Sequence, residues 1–377
     1  MRLMYRFGIY SIIGTITLMS LLVLPAMIGL LVDDSVLTES QAGWAASINF
    51  FGGALIAMVM AFRMHHLNLR RVALVGLAVA AMSDFAAAFY LDQPAIFMTI
   101  RFVSGLGSGA VYTCVLASFA RSPDMDRGYG MFVTLQFIVS GLGLYALPVY
   151  SNLLGASGLF MGLAALEVLG LALVAYLPGS HAPEVRRERS RTEIQVLLAA
   201  ATITGALGFL LFEAGYTAQF TYVERLAVTL AFSDQQVGVA LMIASLAGIP
   251  GAFCIILMGR RFGRIGPLTV GITIALVGIF ILIASEQFMT YLLATSMISF
   301  SWAFCLPFIQ GLLASLDPHG SAVAAASASS TVGGAIGPGL AAVVVVSGSY
   351  DMVFLFAAAL MSAALLSFFY SSRHATA

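Results

Sequence analysis

The chain has 377 residues, 60% of them hydrophobic and only 9% charged, with a formal net charge of zero, whereas soluble proteins average about 25% charged residues. A mean hydropathy of +1.00 excludes a water-soluble domain. No basic tract is able to follow a phosphate backbone, so no nucleic-acid partner is expected.

The N-terminal Met1 and Arg2 have the basic flank of a leader, but the apolar run 7–32 is too long and lacks an Ala-x-Ala cleavage site. It reads as a retained first span. Further runs of membrane-crossing length lie at 41–62, 72–91, 95–119, 128–150 and 157–177. A second set lies at 196–222, 235–258, 267–285, 289–315, 321–347 and 350–372. These uniform runs lack the alternation of barrel strands, and in lipid a backbone must satisfy its own polar groups. The expected fold class is therefore an all-α membrane protein with twelve transmembrane helices in two pseudo-symmetric six-helix bundles.

With the N-terminus inside, one side collects Arg2, Arg6, Arg63, Arg70, Arg71, Arg121, Arg127, Arg186, Arg187, Arg189, Arg191, Arg260, Arg261, Arg264 and Arg373. The other side keeps only Arg225, and Arg101 lies within a span. That asymmetry predicts an even number of spans and cytoplasmic termini, in a bacterial inner membrane. Cys114, Cys254 and Cys305 fall singly in apolar runs, and His65, His66, His181, His319 and His374 lie between spans or at the C-terminus. No metal site and no cofactor are expected.

The polar stretch between Leu177 and Gln195 divides the chain into a bundle at 1–178, a cytoplasmic linker at 179–195 and a bundle at 196–377. The halves are alike at a shift of 195 residues. Thr38-Glu39-Ser40-Gln41-Ala42-Gly43 matches Ser233-Asp234-Gln235-Gln236-Val237-Gly238. Ala45, Ile48, Gly53 and Gly76 recur as Ala240, Ile243, Gly248 and Gly271. Both segments have the capping-box form S/T-x-x-Q, which predicts the same start for the second span of each half.

Arg101-Phe-Val-Ser-Gly105-Leu-Gly-Ser-Gly109 on the fourth span resembles the RxxxGxxxG motif of proton-coupled members of the major facilitator superfamily. The loop Gly259-Arg260-Arg261-Phe262-Gly263-Arg264 is similar to that family's DRxGR loop without its acidic residue. Gly333-Gly-Ala-Ile-Gly337-Pro338-Gly339 on the eleventh span resembles the GxxxGP motif of family antiporters, or serves close helix contact and a bend. The resemblance covers nearly the whole chain. It implies alternating access around a mid-membrane site between repeats, with spans one, four, seven and ten lining the cavity.

Buried ionisable groups cost several kcal/mol and need a partner, a wet cavity or a proton. Asp84 and Arg101 share a depth on spans three and four, so they either form an ion pair or leave Arg101 to a substrate or carboxylate. On span seven, Phe209, Glu213, Tyr216 and Phe220 form one stripe. There Glu213 carries a coupling proton, binds substrate or is merely hydrogen-bonded. Glu167 on span six is a second proton candidate or a structural residue, and Trp302, Asn49 and Gln136 add polar or aromatic handles. Arg225 with Asp33 and Asp34, at the outer ends of spans seven and one, form a candidate outer gate.

The expected function is a secondary active transporter of a small organic molecule, proton-coupled, acting as a monomer with the bilayer and protons as further partners. A drug or metabolite efflux antiporter, a non-transporting sensor and a membrane-embedded enzyme are the alternatives. No HExxH, no paired intramembrane histidines and no extramembrane domain support an enzyme.

Overall fold

A computed structural model describes residues 2–63, 67–122, 124–179, 200–258, 262–316, 321–346 and 349–374. Residues 180–199, which hold the predicted linker from its second residue on and the start of the predicted seventh span, His65 and His66, residues 259–261 of the arginine loop and His319 lie outside the described residues. The chain separates into two compact units, Met1–Val185 and Arg186–Ala377.

The first unit holds α1 (Arg2–Thr17), α2 (Met19–Leu22), α3 (Leu24–Asp34), α4 (Glu39–Arg63), α5 (Leu69–Ala87), α6 (Pro94–Ala120), α7 (Met125–Val149) and α8 (Ser151–Leu173). The second holds α9 (Ala200–Thr229), α10 (Asp234–Met258), α11 (Ile265–Ile283), α12 (Phe288–Ala314), α13 (Ser321–Val344) and α14 (Asp351–His374). Among the described residues nine helices are long and apolar enough to cross a membrane. The predicted spans that fall outside that set are the first, third and seventh. The first is interrupted, α5 carries Arg70, Arg71 and Asp84, and α9 carries Glu213, Gln219, Glu224 and Arg225. Polarity on otherwise membrane-length helices is what a working intramembrane site requires.

The predicted first span, 7–32, is built from three consecutive helices. The breaks fall at Leu18 (φ −96°, ψ 0°) and Val23 (φ −111°, ψ 18°). Pro25 lacks an amide N–H and is tolerated only in the first turn of α3. Hydroxyls satisfy nearby carbonyls: Thr17 Oγ1 donates to Gly14 O at 2.9 Å and Ser140 Oγ on α7 donates to Leu22 O at 2.7 Å. A second interruption lies in α8, where Gly155 has φ 56°. Only glycine adopts that conformation at no cost.

The repeat is realised in three dimensions. Gln41 N donates to Thr38 Oγ1 at 3.2 Å while Thr38 N donates to Gln41 Oε1 at 3.0 Å. The same reciprocal pair joins Gln236 N to Ser233 Oγ at 3.3 Å and Ser233 N to Gln236 Oε1 at 3.0 Å. The two second helices, α4 and α10, each have 25 residues. The next pair, α5 and α11, each have 19, and α6 and α12 each have 27.

Inside the first unit Phe7, Ile13, Leu77, Val111 and Phe119 form a closed apolar core. Outward, Leu153, Met82 and Leu366 are at least 70% exposed. Such an apolar exterior would aggregate in water and is solvated by lipid tails.

Candidate functional site

In the first unit, Arg101 is drawn into the protein by bonds from three other helices. Its Nη1 donates to Asp84 Oδ1 on α5 at 2.7 Å, and its Nη2 donates to Ser20 Oγ on α2 at 3.0 Å. The guanidinium lies 5.1 Å from the ring centroid of Phe160 on α8, a cation–π geometry. Arg101 is 1% exposed and Asp84 2%, so neither charge is dispensable to the other. Ser104, one helical turn on, hydrogen-bonds Asp84. Glu167 on α8 is also buried, and its Oε2 has no hydrogen-bond partner among the described residues.

Small residues let α6 approach its neighbours. A methyl group on Gly105 would collide with the backbone carbonyl of Asn49 on α4, and one on Gly109 with Gly53. Gly107 meets Gly76 O and Ala80 on the opposite side, on α5. This contact sets Asn49 so that its Nδ2 donates to the Arg101 carbonyl at 2.9 Å. The alternate glycines of the motif therefore clamp the helix that carries Arg101. Gly105→Ala should cost about 1–3 kcal/mol through overpacking, read as a lower melting temperature in detergent. Gly130→Ala, on α7 where an added Cβ would meet no neighbouring side chain or helix among the described residues, is the control and should not lower it.

In the second unit the centre is Glu213, 7% exposed. Its Oε2 accepts from Trp302 Nε1 on α12 at 3.3 Å, and its carboxyl is hydrogen-bonded by Ser330 on α13. Tyr216, one turn later on α9, stacks on Trp302 at 5.0 Å and on Phe220 at 5.6 Å. Ser299 on α12 hydrogen-bonds the Tyr216 side chain. The result is a three-ring stack with a carboxyl at one end, tied to three helices. Phe209, by contrast, is fully packed at 2% exposure. Beside Phe220 and Ser299, a cavity is lined by Gln219, Ser245 and Thr295. Gly333 and Gly337 of the eleventh-span motif press α13 onto Leu210 O and Thr217 of α9.

The outer-end residues have identifiable bonds within their own units. Asp34 Oδ2 accepts the Ala156 amide at 3.0 Å, which caps the helix where it restarts after Gly155; Asp33 is exposed. Arg225 donates to Glu224 through Nε at 2.7 Å and Nη2 at 3.0 Å. Both are 5% exposed, and α9 runs on past the predicted end at 222 to Thr229 because this fork neutralises the charges. Gln136 is half-buried on α7 and joins neither cluster among the described residues. Sequence reasoning missed Ser20, Phe160, Ser299 and Ser330. Ser104 alone had a signal, since it stands inside the RxxxGxxxG segment.

Two repeated all-helical units with apolar exteriors and buried charged clusters define a polytopic membrane carrier. The family model of the Major Facilitator Superfamily matches residues 9–319, and the chain belongs to that family. It is accordingly a multi-pass secondary transporter for a small molecule and not an enzyme. Among solved structures it is similar to an aspartate-to-alanine mutant of the nucleoside transporter NupG, with a TM-score of 0.76 at 12% identity over 97% of this chain and 99% of that one. A second structure of NupG matches with a TM-score of 0.72 at 15% identity, covering 98% and 99%. At such identities the likeness is one of fold. No functionally curated protein matches the sequence.

Proposed function

We propose that this transporter is proton-coupled, carries a small organic molecule with a planar or aromatic part, and works as a monomer by alternating access. We place it in the bacterial inner membrane with both termini cytoplasmic, on the arginine asymmetry. The observation that carries proton coupling is the Glu213 carboxyl, buried yet held by neutral donors from Trp302 and Ser330 rather than by a cation. A carboxyl in that setting exchanges a proton without leaving a salt bridge unsatisfied. The stack of Trp302, Tyr216 and Phe220 beside it offers π faces to a planar ring. A nucleoside, the class carried by NupG, is one such molecule and the first to test.

Purified protein in proteoliposomes should show saturable flux of its substrate driven by an imposed pH gradient at zero membrane potential. Flux that rises linearly with concentration and ignores the gradient would indicate a channel and overturn the reading.

A further inference from the structure

The indole of Trp302 belongs to two arrangements at once. Its Nε1 donates from α12 to Glu213 Oε2 on α9 at 3.3 Å, and its ring stacks on Tyr216 at 5.0 Å with 19° between the planes. Tyr216 stacks in turn on Phe220 at 5.6 Å and 14°. Between Phe212 and Ala227 every residue of α9 is buried except Tyr216 and Phe220, which are half-buried, as is Trp302. The ring stack is thus the surface that this stretch of α9 presents, and the indole N–H ties it to the carboxyl.

A hydrogen bond to an ionised carboxylate is roughly twice as strong as one to a neutral acceptor. The Trp302 N–H therefore holds its ring more firmly when Glu213 is ionised than when the carboxyl carries a proton. Other titratable groups are badly placed to do this. Of the helices packed against α9, α13 carries none, and those of α14 (Asp351, Tyr370, Arg373, His374) and α10 (Asp234, Cys254) stand near the helix ends. On α12 the Tyr291 hydroxyl donates to Val223 O at 2.9 Å, and Cys305 packs against Gly271 of α11. On α9 itself Glu224 and Arg225 pair with each other, which leaves Tyr216, a member of the stack, as the titratable neighbour of Glu213.

We propose that Trp302 is the positioning residue through which the aromatic site reads the ionisation of Glu213: the carboxylate pins the indole against Tyr216, and protonation loosens it. The inference rests on the reading of Glu213 and of the stack given above. The O–H bond that forms or breaks is the one at Glu213, and its proton comes from and returns to water. A pinned ring has less freedom left to lose when a planar group stacks on the site, so the indole passes the state of the carboxyl to whatever ring the stack receives.

Trp44 and Trp302 are the two tryptophans of the chain, so Trp44→Phe leaves Trp302 as the sole indole emitter. Time-resolved fluorescence anisotropy of that full-length variant in detergent reads the freedom of the ring. Its residual anisotropy should fall as the pH is taken from alkaline to acid and recover on return. With Glu213→Gln added, the anisotropy should stay at the low value of the protonated acid and lose its response to pH. Tyr216→Phe, which keeps the ring and removes the phenol, should retain the response. An indole that ignores pH in Trp44→Phe, or a response that survives Glu213→Gln, would overturn the proposal. Loss of the response in Tyr216→Phe would assign the titration to the phenol and overturn it too. Failure of Glu213→Gln to fold would show that no neutral side chain is tolerated at this position and would overturn it equally. The measurement involves no transport: a flux that ignores the pH gradient beside a pH-sensitive indole would fail the proposed function alone, and the reverse would fail this inference alone.

Discussion

Glu213→Gln should abolish pH-gradient-driven accumulation while leaving substrate exchange across the membrane largely intact. Gln keeps the size of the side chain and an oxygen to accept from Trp302 Nε1, so packing against α12 survives and only the exchangeable proton is lost. One pH unit is worth about 1.4 kcal/mol per proton. A carrier coupled to one proton therefore supports roughly tenfold accumulation per unit of gradient, and the variant should support none. Counterflow of labelled against unlabelled substrate should persist, because exchange requires no net proton movement. Full accumulation in Glu213→Gln would remove Glu213 from coupling; loss of counterflow as well would make it a binding residue.

Arg101→Met should be the most damaging single change to folding. It leaves Asp84, 2% exposed, without its cation. Breaking one side of a buried pair typically costs on the order of 3–5 kcal/mol, a large part of the stability of most proteins. The charge swap Asp84→Arg with Arg101→Asp separates the roles of the pair. Recovery of melting temperature and transport would make the pair structural. Recovery of melting temperature without transport would give Arg101 a task in the transport cycle that depends on its place on α6. An Arg101→Met protein that melts with the parent would sink the argument from burial.

The helical architecture and the repeat were legible because hydropathy and capping are local signals. Thr38, Gln41, Ser233 and Gln236 occupy the reciprocal positions that their spacing predicts. Depth counting along spans three and four brought Asp84 level with Arg101, and their pairing needs nothing more than adjacent helices. The break at Leu18 left no mark, since neither glycine nor proline stands there, whereas Pro25 marks the second break. The extension of α9 past Tyr222 was hidden because an adjacent Glu-Arg pair reads as a solvated end until both are seen buried. Partners such as Phe160 and Ser330 come from helices far along the chain, where one apolar or hydroxyl residue looks like any other. Glu167 was legible as an ionisable group in a span, but its burial depends on how α8 rolls against α5, which no periodicity fixes.

The bond between Asp84 and Arg101 spans only 17 residues, and this has a consequence for biogenesis. A lone charge entering the bilayer costs about 2.5–3.5 kcal/mol on insertion scales. Because α5 and α6 are consecutive and joined by a short turn, they leave the translocon as one helical hairpin whose opposite charges are already able to meet. Asn49 has emerged before them, 52 residues from the carbonyl it binds, whereas the hydroxyl of Ser140 must find Leu22 across 118 residues. Loop-closure entropy orders these events from short to long. The hairpin thus partitions into lipid as a nearly neutral object.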